Sequence, residues 1–224
     1  MNAGAHPVRP SLTWLMIVLT AVTGLIEAVS LLALGPVFTA MQTGNVLFLA
    51  FGLARQGNLP ALSAAASLAA FGLGAVWGAR MESAAEARGR RWAELGLYVE
   101  ASLILAGAAA GWGVAPQYGH PSAEHLAVTG ILATAMGIRT VTAMRVNVPG
   151  VPTTLITRSF TALIGSSALG RDSAFGYGTG AWARRAGAVL AMFAGGLTGA
   201  LLVGPGGRWA HCCCPRRRWS SRWP

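Results

Sequence analysis

Seven stretches of this chain are apolar over nearly the length, roughly 20 residues, that a helix needs to cross a hydrocarbon core about 30 Å thick. They cover residues 11–34, 37–54, 61–79, 95–113, 126–144, 151–169 and 186–203. Backbone groups in lipid have no water to bond, so only helices or a closed barrel can span it. A barrel strand alternates apolar and polar residues; these runs are continuous. Composition agrees: 54% of residues are hydrophobic and 11% charged, against about a quarter charged in a soluble domain. The sequence predicts an all-α polytopic transmembrane bundle of six or seven helices, with the lipid bilayer as its main partner.

The formal charge of +10 invites a nucleic-acid reading, but all 17 basic residues are Arg and most sit between or at the ends of the apolar runs. That placement suits control of membrane topology and contact with lipid headgroups. No basic stripe interleaved with aromatics or recognised module is present, so nucleic acid is not an expected partner. One Arg precedes the first apolar run, which is longer than the 7–15 residues of a signal peptide; a retained helix is expected. Arg without Lys, with abundant Ala and Gly, points to a GC-rich bacterial genome, hence to a multi-pass protein of the bacterial cytoplasmic membrane.

The chain matches itself. Gly24 precedes Pro36 by the same 12 residues that separate Gly137 from Pro149; Thr43 follows Pro36 by seven, and Thr157 follows Pro149 by eight. "LAAFGLGA" from Leu68 resembles "LAMFAGGL" from Leu190, and each neighbourhood carries a small-xxx-small pair, Gly74/Gly78 and Gly195/Gly199, which lets helix backbones approach closely. The expected organisation is an N-terminal tail (1–10) and a transmembrane domain (11–204). Within that domain, repeat one covers about 11–79, a connector helix 95–113 and repeat two about 126–203; a basic, disordered tail follows (205–224). Seven full spans make the repeats parallel, and the Arg balance then favours an external N-terminus; re-entrant second and sixth segments make them inverted and largely even out that balance. The length of segment two, 18 residues, leans towards full spans.

Some residues in these runs are costly there. Glu27 lies inside the first; an acid at a helix centre costs about 2.5–3.5 kcal/mol on insertion scales and faces a bundle interior or a cavity. It reads as a proton carrier, ion ligand or substrate contact, or else as half of an ion pair with Arg139 or Arg158. Gln42, Thr43, Gly44 and Asn45 read either as interhelical hydrogen-bonding glue or as an unwound stretch whose carbonyls and amides bind a cation or polar solute. Thr157 with Arg158 stands at the matching place in repeat two. Glu100 is a weaker candidate, expected to snorkel towards the Arg88–Arg91 loop; the segment "RMESAAEARGRRWAE" from Arg80 reads as a solvated cytoplasmic turn.

No cofactor or metal is expected. Cys212, Cys213 and Cys214 are adjacent and lack the spaced pairs of a structural zinc site. His6, His120, His125 and His211 form no HExxH-like pair, and no nucleophile elbow, P-loop or dinucleotide fingerprint is present. The chain is therefore not expected to be an enzyme.

The segment "GLIEAVSLLALGPVFTAMQTGN" resembles the signature of the YoaK family, a domain-of-unknown-function group of bacterial integral membrane proteins. In that pattern Gly-Leu-x-Asp-Ala leads through a Phe-containing apolar stretch to Thr-Gly-Asn; Gly24, Leu25, Ala28, Phe38, Thr43, Gly44 and Asn45 match, with Glu27 for the usual Asp. The second half, "MGIRTVTAMRVNVPGVPTTLITRSFTALI", is similar too, but has Arg139-Thr140 for the family's Gln-Asn and Arg158 where its Thr-Gly-x-x-Thr has glycine. The resemblance implies a multi-pass inner-membrane protein and supplies no mechanism.

The resulting expectation is a small-solute or ion transporter with its site between the repeats: Glu27 protonatable or ion-binding, Gln42, Thr43 and Asn45 as ligands, Arg139 or Arg158 as counter-ion. The alternative is a non-transporting scaffold in which the same groups hold helices together.

Overall fold

The computed structural model describes residues 10–57, 59–114, 121–146, 156–166 and 179–203. Seven α-helices occur among them: α1 (Pro10–Val29), α2 (Gln42–Leu53), α3 (Ala61–Ala87), α4 (Trp92–Ala110), α5 (Ala123–Val146), α6 (Ile156–Gly165) and α7 (Thr179–Val203). No strand occurs among the described residues. α1 continues through a π-helical turn, Ser30–Leu34. Five helices, α1 with its π turn and α3, α4, α5 and α7, are long and apolar enough to cross a membrane. Their outward faces carry Trp14, Leu73, Leu105, Phe193 and Leu201 exposed, side chains suited to acyl chains. The protein is a multi-pass membrane protein.

Segment two does not span. Its helix has 12 residues, about 18 Å at 1.5 Å per residue, and the expectation of a full crossing is overturned. α6 is shorter still, with 10 residues; the remainder of segment six lies outside the described residues, as do Pro149, the terminal 1–9 and the cysteine-containing tail. After the π turn, Gly35 takes φ 107° and the chain folds back into the bundle. Glu27, seven residues before Leu34, meets Thr39 and Ala40. α2 then climbs out beside α3: Gln42 and Asn45 reach Ser67, while Gly52 lies against Leu59 and Ala61. The start of α2 therefore lies about 9 Å deeper than the start of α3.

Helix directions follow from paired contacts. Along α3 and α5, Ala70 meets Thr134, Gly78 meets Ile138 and Glu82 meets Thr142, so the two run parallel. Along α1 and α7, Gly187 lies at Ile17, Gly195 at Ala21 and Gly199 at Leu25, again parallel. α4 opposes α5, with Gly107 at Leu132 and Glu100 at Arg139. α1 also opposes α5: Met16 shares a cluster with Ala143 and Val146, Arg139 bonds Thr23, and Ile26 and Leu34 share a core with Val128 and Leu132.

The α1–α7 and α3–α5 interfaces are one contact made twice. A Cβ on Gly24 would fall on the Met192 carbonyl and Gly196; on Gly137, on the Phe71 carbonyl and Ala75. Gly195 faces Ala21 as Gly74 faces Thr134, and Gly199 faces Leu25 as Gly78 faces Ile138. The facing residues of α1 and α5 are related by the Gly24-to-Gly137 interval, and those of α3 and α7 by the Gly74-to-Gly195 interval. Since α1 and α5 are antiparallel, the repeats are inverted. The parallel arrangement does not hold.

Candidate functional site

The site is built on an interrupted segment, residues 35–41, inserted between α1 and α5. Val37 and Ala40 pack into a core with Ile26, Leu34, Val128, Leu132, Ala135 and Met136. Inside that core a free backbone N–H is costly; the carboxylate of Glu27, 3% exposed, meets the need. Its Oε1 accepts the N–H of Thr39 at 2.9 Å, the Thr39 hydroxyl at 2.8 Å and the N–H of Ala40 at 2.6 Å. These donors immediately precede the N-terminus of α2, where the helix dipole favours negative charge. Glu27 thus fills from within the position at which a half-helix in a transporter holds an anion.

Asn45 pins the other side of the same segment. Its Oδ1 accepts the N–H of Phe38 at 2.9 Å, and its Nδ2 donates to the Phe38 carbonyl at 2.6 Å, to Gln42 Oε1 at 2.8 Å and to Ser67 Oγ at 3.0 Å. Gln42 Nε2 donates to the Thr39 carbonyl at 2.8 Å, and the Ser67 hydroxyl to the Phe38 carbonyl at 2.6 Å. The unwound stretch is therefore not at 42–45, which are helical, but one turn earlier. Gly44 has a packing role: a Cβ there would lie 2.6 Å from Phe38 Cδ2, and the Phe38 ring stacks on Phe48 with centroids 5.6 Å apart.

Of the residues singled out in the sequence, Glu27, Gln42, Gly44 and Asn45 converge on this segment. Thr43 is exposed, as are Thr157 and Arg158; the structure does not bring them to Glu27. Arg139, 1% exposed, is not the partner of Glu27 either. Its Nε and Nη2 both donate to Glu100 Oε1, the former at 2.7 Å, while Nη1 donates to the Leu19 carbonyl at 2.9 Å and to Thr23 Oγ1 at 2.7 Å. Glu100 is buried in that pair and does not turn towards the Arg88–Arg91 loop. The loop region is also less solvated than expected: Glu82 is fully buried and accepts from Thr142. Arg145 bonds Glu86 and Ser83 and lies 4.6 Å over the Trp92 ring.

Sequence reasoning missed Thr39, Ser67, Thr23 and Ser30. Their only signal was a hydroxyl in an apolar run, and most such hydroxyls are satisfied by their own helix, as Thr20 is by the Met16 carbonyl. Ser30 is different. Among the described residues its Oγ is buried without a hydrogen-bond partner, and so is Oε2 of Glu27. Three residues apart, these two atoms belong to the same face of the helix, at the point where α-helical bonding gives way to π, a device frequent at functional sites.

By the interval that relates the repeats, Thr140 stands where Glu27 would, and its hydroxyl bonds the Met136 carbonyl. With the one-residue shift that relates Thr43 to Thr157, Ser159 corresponds to Asn45 and is likewise buried. The carboxylate is thus confined to repeat one.

Five long apolar helices in inverted repeats, with a broken segment meeting a buried carboxylate, define a multi-pass membrane protein. Residues 15–215 match the family model described as "Protein of unknown function (DUF1275)". The chain belongs to that family, in keeping with the YoaK-like motif from Gly24 to Asn45. No curated protein and no solved structure matches it.

Proposed function

We propose that the protein is a small-solute or ion transporter, without enzymatic activity, in the bacterial cytoplasmic membrane. Its site lies between the repeats, and Glu27 is the ion-binding or protonatable group. The observation that carries this reading is the free Oε2 of a buried carboxylate whose other oxygen is fixed to a re-entrant segment. Inverted repeats, each carrying a short helix, support it, because the two halves can rock about a fixed centre. With five spans, Arg55 and the five arginines that follow α7 fall on one side and the other loop arginines on the side of the N-terminus, so the Arg balance largely evens out.

The scaffold reading draws on Gln42, Asn45 and Ser67, whose side chains bond within the protein. Flux in proteoliposomes separates the two. Solute- or proton-linked flux is expected for the wild type, and its loss in Glu27→Gln with the thermal midpoint nearly unchanged. Absence of flux for every solute and ion tried, with Glu27→Gln only lowering stability, leaves the scaffold.

A further inference from the structure

We propose that the Glu27 site takes a monovalent cation, which competes with a proton for the single carboxylate. That this cation is carried across the membrane rests on the transport reading above; the binding chemistry does not.

Charge balance is the first ground. Glu100 is paired with Arg139, Glu82 and Glu86 with Arg145, and Glu94 with Arg91. Glu27 has no cationic partner among the described residues, although it is as buried as Glu100. A bare carboxylate out of water is costly, so its neutralising charge is a proton or a bound cation. The second ground is that the donors are already used. The N–H groups of Thr39 and Ala40 and the Thr39 hydroxyl all go to Oε1, and the Met41 N–H also turns to this carboxylate, so these donors serve Glu27 and not an incoming anion. What remains open are acceptors, Oε2 of Glu27 and Oγ of Ser30 on the same helical face.

The third ground fixes valence. Divalent cations gather several carboxylate and carbonyl oxygens, and no group of three or more His, Cys, Asp or Glu side chains is suitably placed for a metal among the described residues. One carboxylate with a neutral hydroxyl balances one positive charge. Exchange is conservative: the cation enters as the carboxylic proton leaves to water, and no other bond changes.

Intrinsic tryptophan fluorescence of the full-length protein in detergent, followed through thermal unfolding, tests this. Lithium, sodium, potassium and ammonium chloride are compared at constant ionic strength with choline chloride as filler. At least one cation is expected to raise the midpoint saturably at pH 8. About ten-fold more of it should be needed for each pH unit lower while the proton competes. Replacing chloride with gluconate should change nothing. Glu27→Gln should remove the shift, Glu27→Asp should keep it, and Ser30→Ala should weaken half-saturation several-fold.

The other titratable or charged groups on helices packed against α1 are Glu124, His125, Arg139 and Arg145 of α5 and Arg184 and Arg185 of α7. A pH effect arising from them survives in Glu27→Gln and overturns the assignment. So does a shift that follows the anion, or a wild type that responds to no cation. Should Glu27→Gln not fold, Glu27→Asp and Ser30→Ala still decide: loss in the former or indifference in the latter contradicts the site. Saturable cation binding without flux sinks the transport reading and leaves this one. Flux of an anion or neutral solute with no cation response does the reverse.

Discussion

The guanidinium of Arg139 holds the carboxylate of Glu100 and reaches Thr23 of α1, one helical turn short of Glu27. Two buried charges of opposite sign therefore cancel within α4 and α5, and Glu27 is left with hydrogen bonds alone. Removing one member of a buried pair strands the other, at about 3–5 kcal/mol. Arg139→Gln and Glu100→Gln should each lower stability by that order in reversible unfolding from mixed micelles. The double replacement Arg139→Met with Glu100→Leu should recover most of the loss, because no charge is left stranded.

The duplicated interface makes a paired prediction. Gly74→Ala and Gly195→Ala each drive a methyl group into a facing backbone, of Thr134 and Ala21 respectively, and such overpacking costs about 1–3 kcal/mol. The two losses should be similar, since the contacts are equivalent. A Cβ on Gly72 or Gly130 would meet nothing within 4 Å. Alanine at either should leave the thermal midpoint unchanged or slightly higher, helix propensity favouring it by about 0.5–1 kcal/mol.

Gly44→Ala should displace the Phe38 ring, 2.6 Å from the new carbon, and lose the stack on Phe48. A destabilisation of about 1–3 kcal/mol is expected. In a Phe38→Ala background the same replacement should be nearly silent, a coupling that a double-mutant cycle reads directly.

Asn45→Ala frees the N–H of Phe38 and removes the bonds to the Phe38 carbonyl, Gln42 and Ser67, while the Ser67 hydroxyl still holds that carbonyl. At an average near 0.6 kcal/mol per bond in membranes, the loss in stability should be about 2 kcal/mol. The larger effect should be on flux, because the segment that positions Glu27 loses its second anchor.

Hydropathy located the spanning helices because α1, α3, α4, α5 and α7 expose apolar faces that lipid requires. It stopped α3 at residue 79, whereas the helix runs to Ala87: Glu82, Ser83 and Glu86 are carried by Thr142 and Arg145 some 60 residues away. Apolarity also made a span of 37–54. The break there is enforced by Glu27 on Thr39 and Ala40 and by Asn45 on Phe38, side-chain-to-backbone bonds that a window average cannot register. The cost of Glu27 in an apolar run was legible, but its partner was not. Two arginines lay in comparable runs, and only the packing of α4 on α5 assigns Arg139 to Glu100.

The most direct measurement is a cation-titrated infrared difference spectrum of the full-length protein in lipid, wild type against Glu27→Gln. One protonated-carboxyl band is expected in the wild type, fading as the monovalent cation saturates and missing from Glu27→Gln. A band indifferent to cation, or one that persists in Glu27→Gln, would contradict the assignment of Glu27 as the exchanging group.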